Sequence, residues 1–130
     1  MKTAIGYLRV STNEQAKEGI SLNNQEAKIR AYCELNDLAL DRIIIDAGKS
    51  GKNLNREGIQ ELIQAKNIDS IIVYKLDRLS RKVKDTLELI EQFEKKNITF
   101  HSITEKIDTN TAMGRFFLNI TASFAQMERD

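Results

Sequence analysis

The chain predicts an α/β fold: a mainly parallel sheet of four to five strands with helices on both faces, followed by the start of a long C-terminal helix. Short apolar runs rich in Ile and Val alternate with longer segments whose apolar residues recur every three or four positions. Strands that alternate with helices pair in parallel, and the helices cover both faces of the sheet. The 130 residues suffice for one domain with a real core and are too few for two. No proline occurs anywhere, so no helix is interrupted on that account.

Thr3-Ala4-Ile5-Gly6-Tyr7-Leu8-Arg9-Val10 reads as the first strand, ending at Ser11-Thr12. The polar stretch from Asn13 to Gly19 reads as loop with a helical fragment. Ser21 is an N-cap for a helix from Leu22 to Leu35, with Leu22, Ile29, Tyr32 and Leu35 as its core contacts. Cys33, the only cysteine, falls in this pattern as a small buried apolar residue; alone, it excludes an internal disulfide and a Cys-based zinc site. Asp41 to Asp46 is the second strand and runs into a flexible Gly/Lys loop, Ala47 to Asn53. A helix from Arg56 to Lys66 carries Ile59, Leu62 and Ile63 on one face. The third strand is Ser70 to Lys75, followed by a helix from Ser80 to Lys95 with Val83, Leu87, Ile90 and Phe93 inward.

Ile98 to Ile103 is the fourth strand; it contains the only histidine, His101, which has no second His or Cys nearby and reads as structural. From Thr111 a helical pattern places Met113, Phe116, Phe117, Ile120, Phe124 and Met127 on one broad apolar face. The pattern stops at Glu128-Arg129-Asp130 with no glycine cap or turn signal. The expectation is a helix cut from a longer chain, its apolar face packed partly on its own domain and partly on a partner. An ordinary terminal helix docked on the sheet is the plainer alternative.

Apolar residues make up 41% and charged residues 30%, an ordinary globular balance. A net charge of +1 lacks the basicity of a dedicated nucleic-acid-binding module. Any such contact must come from a local patch or from another part of the protein. No run approaches a membrane span and the N-terminus has no long apolar segment, so a cytoplasmic protein is expected.

The chemistry concentrates at two strand ends. Ligands of open parallel sheets bind beyond the carboxyl ends of the strands, near the point where strand order reverses. The first strand ends in Arg9 and Ser11, which alternation points to one side. The third ends in Lys75-Leu76-Asp77-Arg78-Leu79-Ser80-Arg81; if Arg81 begins a helix, its guanidinium and that of Arg78 face one way. Were these strands neighbours, one site would gather Arg9, Arg78, Arg81, the Ser11 hydroxyl and the Asp77 carboxylate. That is a poor way to build a core and a good way to hold a phosphodiester. Fixed guanidinium donors neutralise the charge that grows on equatorial oxygens when an alkoxide attacks, without any metal. The same field activates a serine, and a carboxylate can orient an arginine or carry a proton. The plainer readings are a solvated Asp–Arg helix start for the second segment and a capping box, Ser11-Thr12-Asn13-Glu14, for the first.

Two decoys fail. Gly48-Lys49-Ser50 resembles the end of a phosphate-binding loop, yet Ile43 stands where that motif needs a glycine. A magnesium cage could use Asp46 and Asp77, but the first strand ends in Arg9 and Ser11 rather than acids.

Tyr7-Leu8-Arg9-Val10-Ser11-Thr12, Lys75 through Arg81 and Ala125-Gln126-Met127-Glu128-Arg129 resemble, in order and spacing, the three signatures of the serine recombinase family of resolvases, invertases and integrases. The stretch Gly19 to Gln25, with its long spacer after Ser11, is most similar to the large serine integrases. The resemblance implies a resolvase-like catalytic core over residues 1–110, the beginning of a long oligomerisation helix over 111–130, and a DNA-binding region outside this sequence. It implies that Ser11 is the nucleophile, linked through phosphoserine to the DNA 5′ end. Arg9, Arg78 and Arg81 would clamp the scissile phosphate, supported by Asp77 and Gln25, with Arg56 and Arg129 as further phosphate contacts. Met113, Phe117, Ile120, Phe124 and Glu128 would join protomers. The implied partners are DNA, bound through the full-length protein, and further copies of the chain as homodimer and homotetramer; no metal, ATP or other cofactor is implied. A metal-dependent nuclease and a non-catalytic oligomerisation domain of the same fold are the rival readings.

Overall fold

Ile5, Ile71 and Phe100 are fully buried because the strands that carry them form the centre of one sheet. The computed structural model describes residues 1–10, 22–47 and 57–129. Strand β1 (Lys2–Val10) pairs in parallel with β2 (Leu38–Ala47) on one side and with β3 (Ser70–Val73) on the other. β3 pairs in parallel with β4 (Thr99–Ser102), and a two-residue β5 (Ile107–Asp108) returns antiparallel to β4. The order β2-β1-β3-β4-β5 makes β1 and β3 neighbours, as the sequence required of a single site.

Alternation along β1 sends Ala4 and Leu8 to one face, where α1 (Leu22–Leu35) covers them with Ile29 and Cys33. Ile5 and Tyr7 go to the other face, against Ile59 and Leu62 of α2 (Glu57–Gln64) and Leu89, Ile90 and Phe93 of α3 (Val83–Lys95). Each such side chain contributes about 1.5–3 kcal/mol by leaving water, so the strand ends are held by cores on both sides. The three helices are followed by Asp37, Asn67 and Asn97 at φ of 55°, 61° and 62°. Asp and Asn accept this left-handed turn more readily than other non-glycine residues.

The α1 bounds agree with the sequence reading, but Leu35 is 84% exposed. It lies two residues past buried Cys33 and therefore on the opposite side of the helix. α3 begins at Val83 rather than Ser80: Ser80 Oγ accepts the Lys82 N–H at 3.0 Å, a local turn that delays the helix. Val83 is consequently 40% exposed, and Leu89 takes the inward place. β2 begins at Leu38, β3 stops at Val73 and β5 was not read at all, being too short to carry a period.

Helix α4 (Ala112–Arg129) starts at Thr111, whose Oγ accepts the Gly114 N–H at 3.0 Å. It packs on its own domain through Gly114, Leu118 and partly Thr121, none of which belonged to the expected apolar face. Met113, Phe116, Phe117, Ile120, Phe124 and Met127 are all exposed. The helix approaches β5 by its small residue, which leaves the large ones outside. None of the described helices is long and apolar enough to cross a membrane.

His101 is buried between layers, its Nδ1 2.7 Å from Tyr32 Oη and its Nε2 3.3 Å from Ser70 Oγ. Burial lowers its pKa, opposed by Asp108, whose Oδ2 lies 3.8 Å from Nδ1, and burial pushes the Tyr32 hydroxyl up to about 12. The fold thus favours neutral imidazole, while the unfolded chain takes up a proton near pH 6.5. Stability is expected to fall as the pH drops below about 6.5, by at most about 1.4 kcal/mol per pH unit. Thermal melts between pH 7.5 and 5 read the slope, and His101→Gln should flatten it; an unchanged slope would contradict this.

Candidate active site

The alternation that buries Ile5 and Tyr7 carries Arg9 to the same face at the end of β1, where the side chain is 0% exposed. Its Nε donates to Arg78 O at 3.2 Å and its Nη2 to Asp77 O at 2.9 Å. Both carbonyls belong to a 3-10 turn, Leu76–Arg78, that follows β3. Carbonyls at the end of such a turn have no partner within it, and Arg9 supplies one from the neighbouring strand end.

Arg78 is 1% exposed, with Nε 3.6 Å from Asp77 Oδ1. Burial, and after it the like charges of Arg9 and Arg81, lower its pKa to about 10. Burial also lowers that of Arg9; Arg81 adds to this, while Asp77, Tyr7 and Asp46 oppose it. Both groups remain charged at neutral pH. Two buried like charges at adjacent strand ends are costly unless an anion joins them. The half-exposed Asp77 carboxyl is raised, mainly by partial burial and against the pull of Arg9, which suits a group that exchanges a proton.

Arg81 is exposed, on the rim of a cleft of about 390 Å³ bounded by Asp77, Ser80, Glu105 and Leu118. Arg81 does not begin a helix, so it does not repeat the orientation of Arg78: one guanidinium is built in and the other stands at the opening. Gln25, fully buried on α1, donates from Nε2 to Arg9 O at 3.3 Å, and its Oε1 has no hydrogen-bond partner among the described residues. An acceptor with spare capacity therefore sits at the same strand end.

Arg9, Gln25, Asp77 and Arg78 are thus brought together, with Arg81 beside them. Ser11 and Arg56 lie outside the described residues, as do the side chains of Glu128 and Arg129. Met113, Phe117, Ile120 and Phe124 stand exposed on α4.

Two supporting carboxylates escaped the sequence reading. Asp46, weighed there only as a metal ligand, is buried; it accepts the Tyr7 O–H at 2.7 Å and the Gly58 N–H at 3.0 Å, joining β1, β2 and the start of α2. An added Cβ on Gly58 would lie 2.5 Å from Asp46 Oδ2, so this junction requires glycine. The signal was an acid closing a strand just before a loop. Glu105 accepts the Leu76 N–H across 29 residues, and no local pattern announces that. Among the described residues, no group of three or more His, Cys, Asp and Glu is placed to hold a metal ion.

Residues 4–130 match the family model described as Resolvase, N terminal domain. The DNA-invertase hin of Salmonella typhimurium is 42% identical over 127 residues, covering 97% of this chain and 60% of that protein. The Transposon Tn917 resolvase of Enterococcus faecalis is 38% identical over 126 residues, covering 96% and 62%. The N-terminal catalytic domain of TP901-1 integrase has a similar structure, with a TM-score of 0.86 at 41% identity, covering 98% of this chain and 97% of that one. The chain spans about three fifths of the length of the curated relatives it matches.

Proposed function

The chain belongs to the resolvase N-terminal domain family of serine recombinases, and from that membership we propose that it is the catalytic domain of a site-specific DNA recombinase that cuts and rejoins DNA through Ser11. The observation that carries the reading is the pair Arg9 and Arg78, buried at the carboxyl ends of adjacent strands, with Arg9 bonded to the backbone carbonyls of the turn that carries Arg78. A scaffold has no use for two buried cations; a phosphodiester does.

In the proposed step Ser11 Oγ attacks phosphorus, an O–P bond to serine forms, and the bond from phosphorus to the 3′ oxygen breaks. The serine gives up its proton and the departing 3′ oxygen takes one, leaving a 5′-phosphoserine and a free 3′ hydroxyl. Arg9 and Arg78 hold the charge that grows on the equatorial oxygens, Arg81 closes over the phosphate from the rim, and Asp77 serves as a proton carrier. One phosphodiester replaces another, so the exchange needs neither ATP nor a metal. Arg56 and Arg129 are proposed as outer phosphate contacts. The exposed apolar face of α4, with Met113, Phe117, Ile120 and Phe124, joins Glu128 in the dimer and tetramer contacts. With a net charge of +1, sequence-specific DNA contacts are assigned to a region outside this domain.

The recombinase carrying this domain, stopped mid-reaction on its site DNA, should yield a covalent adduct that Ser11→Ala abolishes and EDTA leaves intact. An adduct that persists in Ser11→Ala refutes the nucleophile. Cleavage silenced by EDTA would favour the nuclease, and no turnover of supercoiled site DNA would favour the scaffold.

A further inference from the structure

The turn that carries Asp77 and Arg78 is capped from a distance. Lys75 precedes it in extended conformation, φ −141° and ψ 153°, and its side chain caps nothing. The first N–H of such a turn needs an acceptor, and Glu105 supplies it: both carboxylate oxygens lie 3.3 Å from Leu76 N. The negative charge suits this end of the turn. Ser102 Oγ–H donates to Glu105 Oε1 in a short contact that fixes the carboxylate.

Glu105 belongs to the connection between β4 and β5. Ile103 N and Thr104 N donate to Val73 O and Tyr74 O at 3.0 Å each, so the connection is bonded to the end of β3. Lys106, at φ 58°, turns the chain back into β5. There Asp108 O accepts the Thr111 N–H at 2.9 Å and the Thr111 hydroxyl at 2.8 Å, and Gly114 lies against the Asp108 backbone. The hairpin and the first turn of α4 are therefore joined by hydrogen bonds and close packing.

We propose that Glu105 is a positioning residue that ties the arginine-bearing turn to the base of α4, so that the seating of α4 sets the geometry of the phosphate clamp. This rests on the recombinase reading above. Thr111 is bonded to Asp108, the β4–β5 hairpin carries the chain from Asp108 back to Glu105, Glu105 accepts from Leu76, and Asp77 O and Arg78 O accept from Arg9. Glu105 and Leu118 also face Asp77 and Arg81 across one cleft, so a shift of α4 reshapes the wall beside the clamp. The helix with the large exposed apolar face is thereby the one wired to the site.

The test compares Glu105→Ala with Glu105→Gln, which keeps an oxygen acceptor. In the 130-residue chain, Glu105→Ala should speed exchange of the Leu76 amide about tenfold while Ile71 stays protected, and Glu105→Gln should restore it. In the whole recombinase, Glu105→Ala should slow single-turnover cleavage about 10- to 100-fold at unchanged affinity for site DNA, with Glu105→Gln within about threefold of wild type. Leu118→Ala, which loosens the seat of α4, should slow wild type but add little to Glu105→Ala. The proposal is overturned if Glu105→Ala cleaves like wild type, if Glu105→Gln is as slow as Ala, if Ile71 loses protection together with Leu76, or if the Leu118 and Glu105 effects simply multiply. A wild type that gives no Ser11-dependent adduct would overturn the recombinase reading instead, and the Leu76 exchange would still report on the tie.

Discussion

Arg9→Lys is expected to lower single-turnover cleavage by about 10²–10³-fold while the fold survives. The guanidinium of Arg9 serves Asp77 O and Arg78 O from two different nitrogens of one rigid planar group. One ammonium cannot span both carbonyls and a phosphate. Burial also works against lysine: the desolvation that lowers the Arg9 pKa acts on a group that starts near 10.4, and a neutral amine clamps nothing. Arg81→Lys is the control, since Arg81 is exposed and a flexible ammonium reaches the rim as well; its loss should be about tenfold. Equal losses at the two positions, measured as cleaved site DNA against time, would contradict the division into a built-in and a closing arginine.

The second large effect is on stability. A Cβ on Gly114 would stand 2.2 Å from Asp108 O and 2.9 Å from Asp108 N, and backbone atoms in a hairpin cannot swing aside as a side chain does. Gly114→Ala must therefore lift α4 off β5, exposing Leu118 and breaking the Thr111 cap. The expected cost is about 2–4 kcal/mol, or a fall in Tm of about 10 °C. Ala normally stabilises a helix interior over Gly by about 1 kcal/mol, so even the sign is diagnostic. A Tm that rises or holds would mean that the helix does not depend on this close approach.

Much of this was legible in the residues because periodicity and burial coincide where elements are long. The 14-residue α1 was bounded correctly, and β1 and β3 were placed side by side by the topology that alternating elements impose. The cluster of Arg9, Asp77 and Arg78 followed, since two strand ends and one alternation rule locate it. Whatever depended on contacts distant in sequence was not legible. β5 has two residues and no period; Glu105 meets Leu76 only because β3 and β4 pair. The seating of α4 through Gly114 and Leu118 was not legible, since a hydrophobicity pattern gives weight to Phe and Met instead. Ser80 delayed α3 by a side-chain hydrogen bond that competes with the helix.

The most direct measurement is peptide mapping, by mass spectrometry, of the protein–DNA adduct from a reaction stopped before strand joining. The account predicts a single peptide containing Ser11, carrying a 5′-phosphorylated DNA end, with free 3′ hydroxyls on the partner strands. An adduct on any other side chain, a 3′-phosphoryl link, or cut DNA with no protein attached would contradict it.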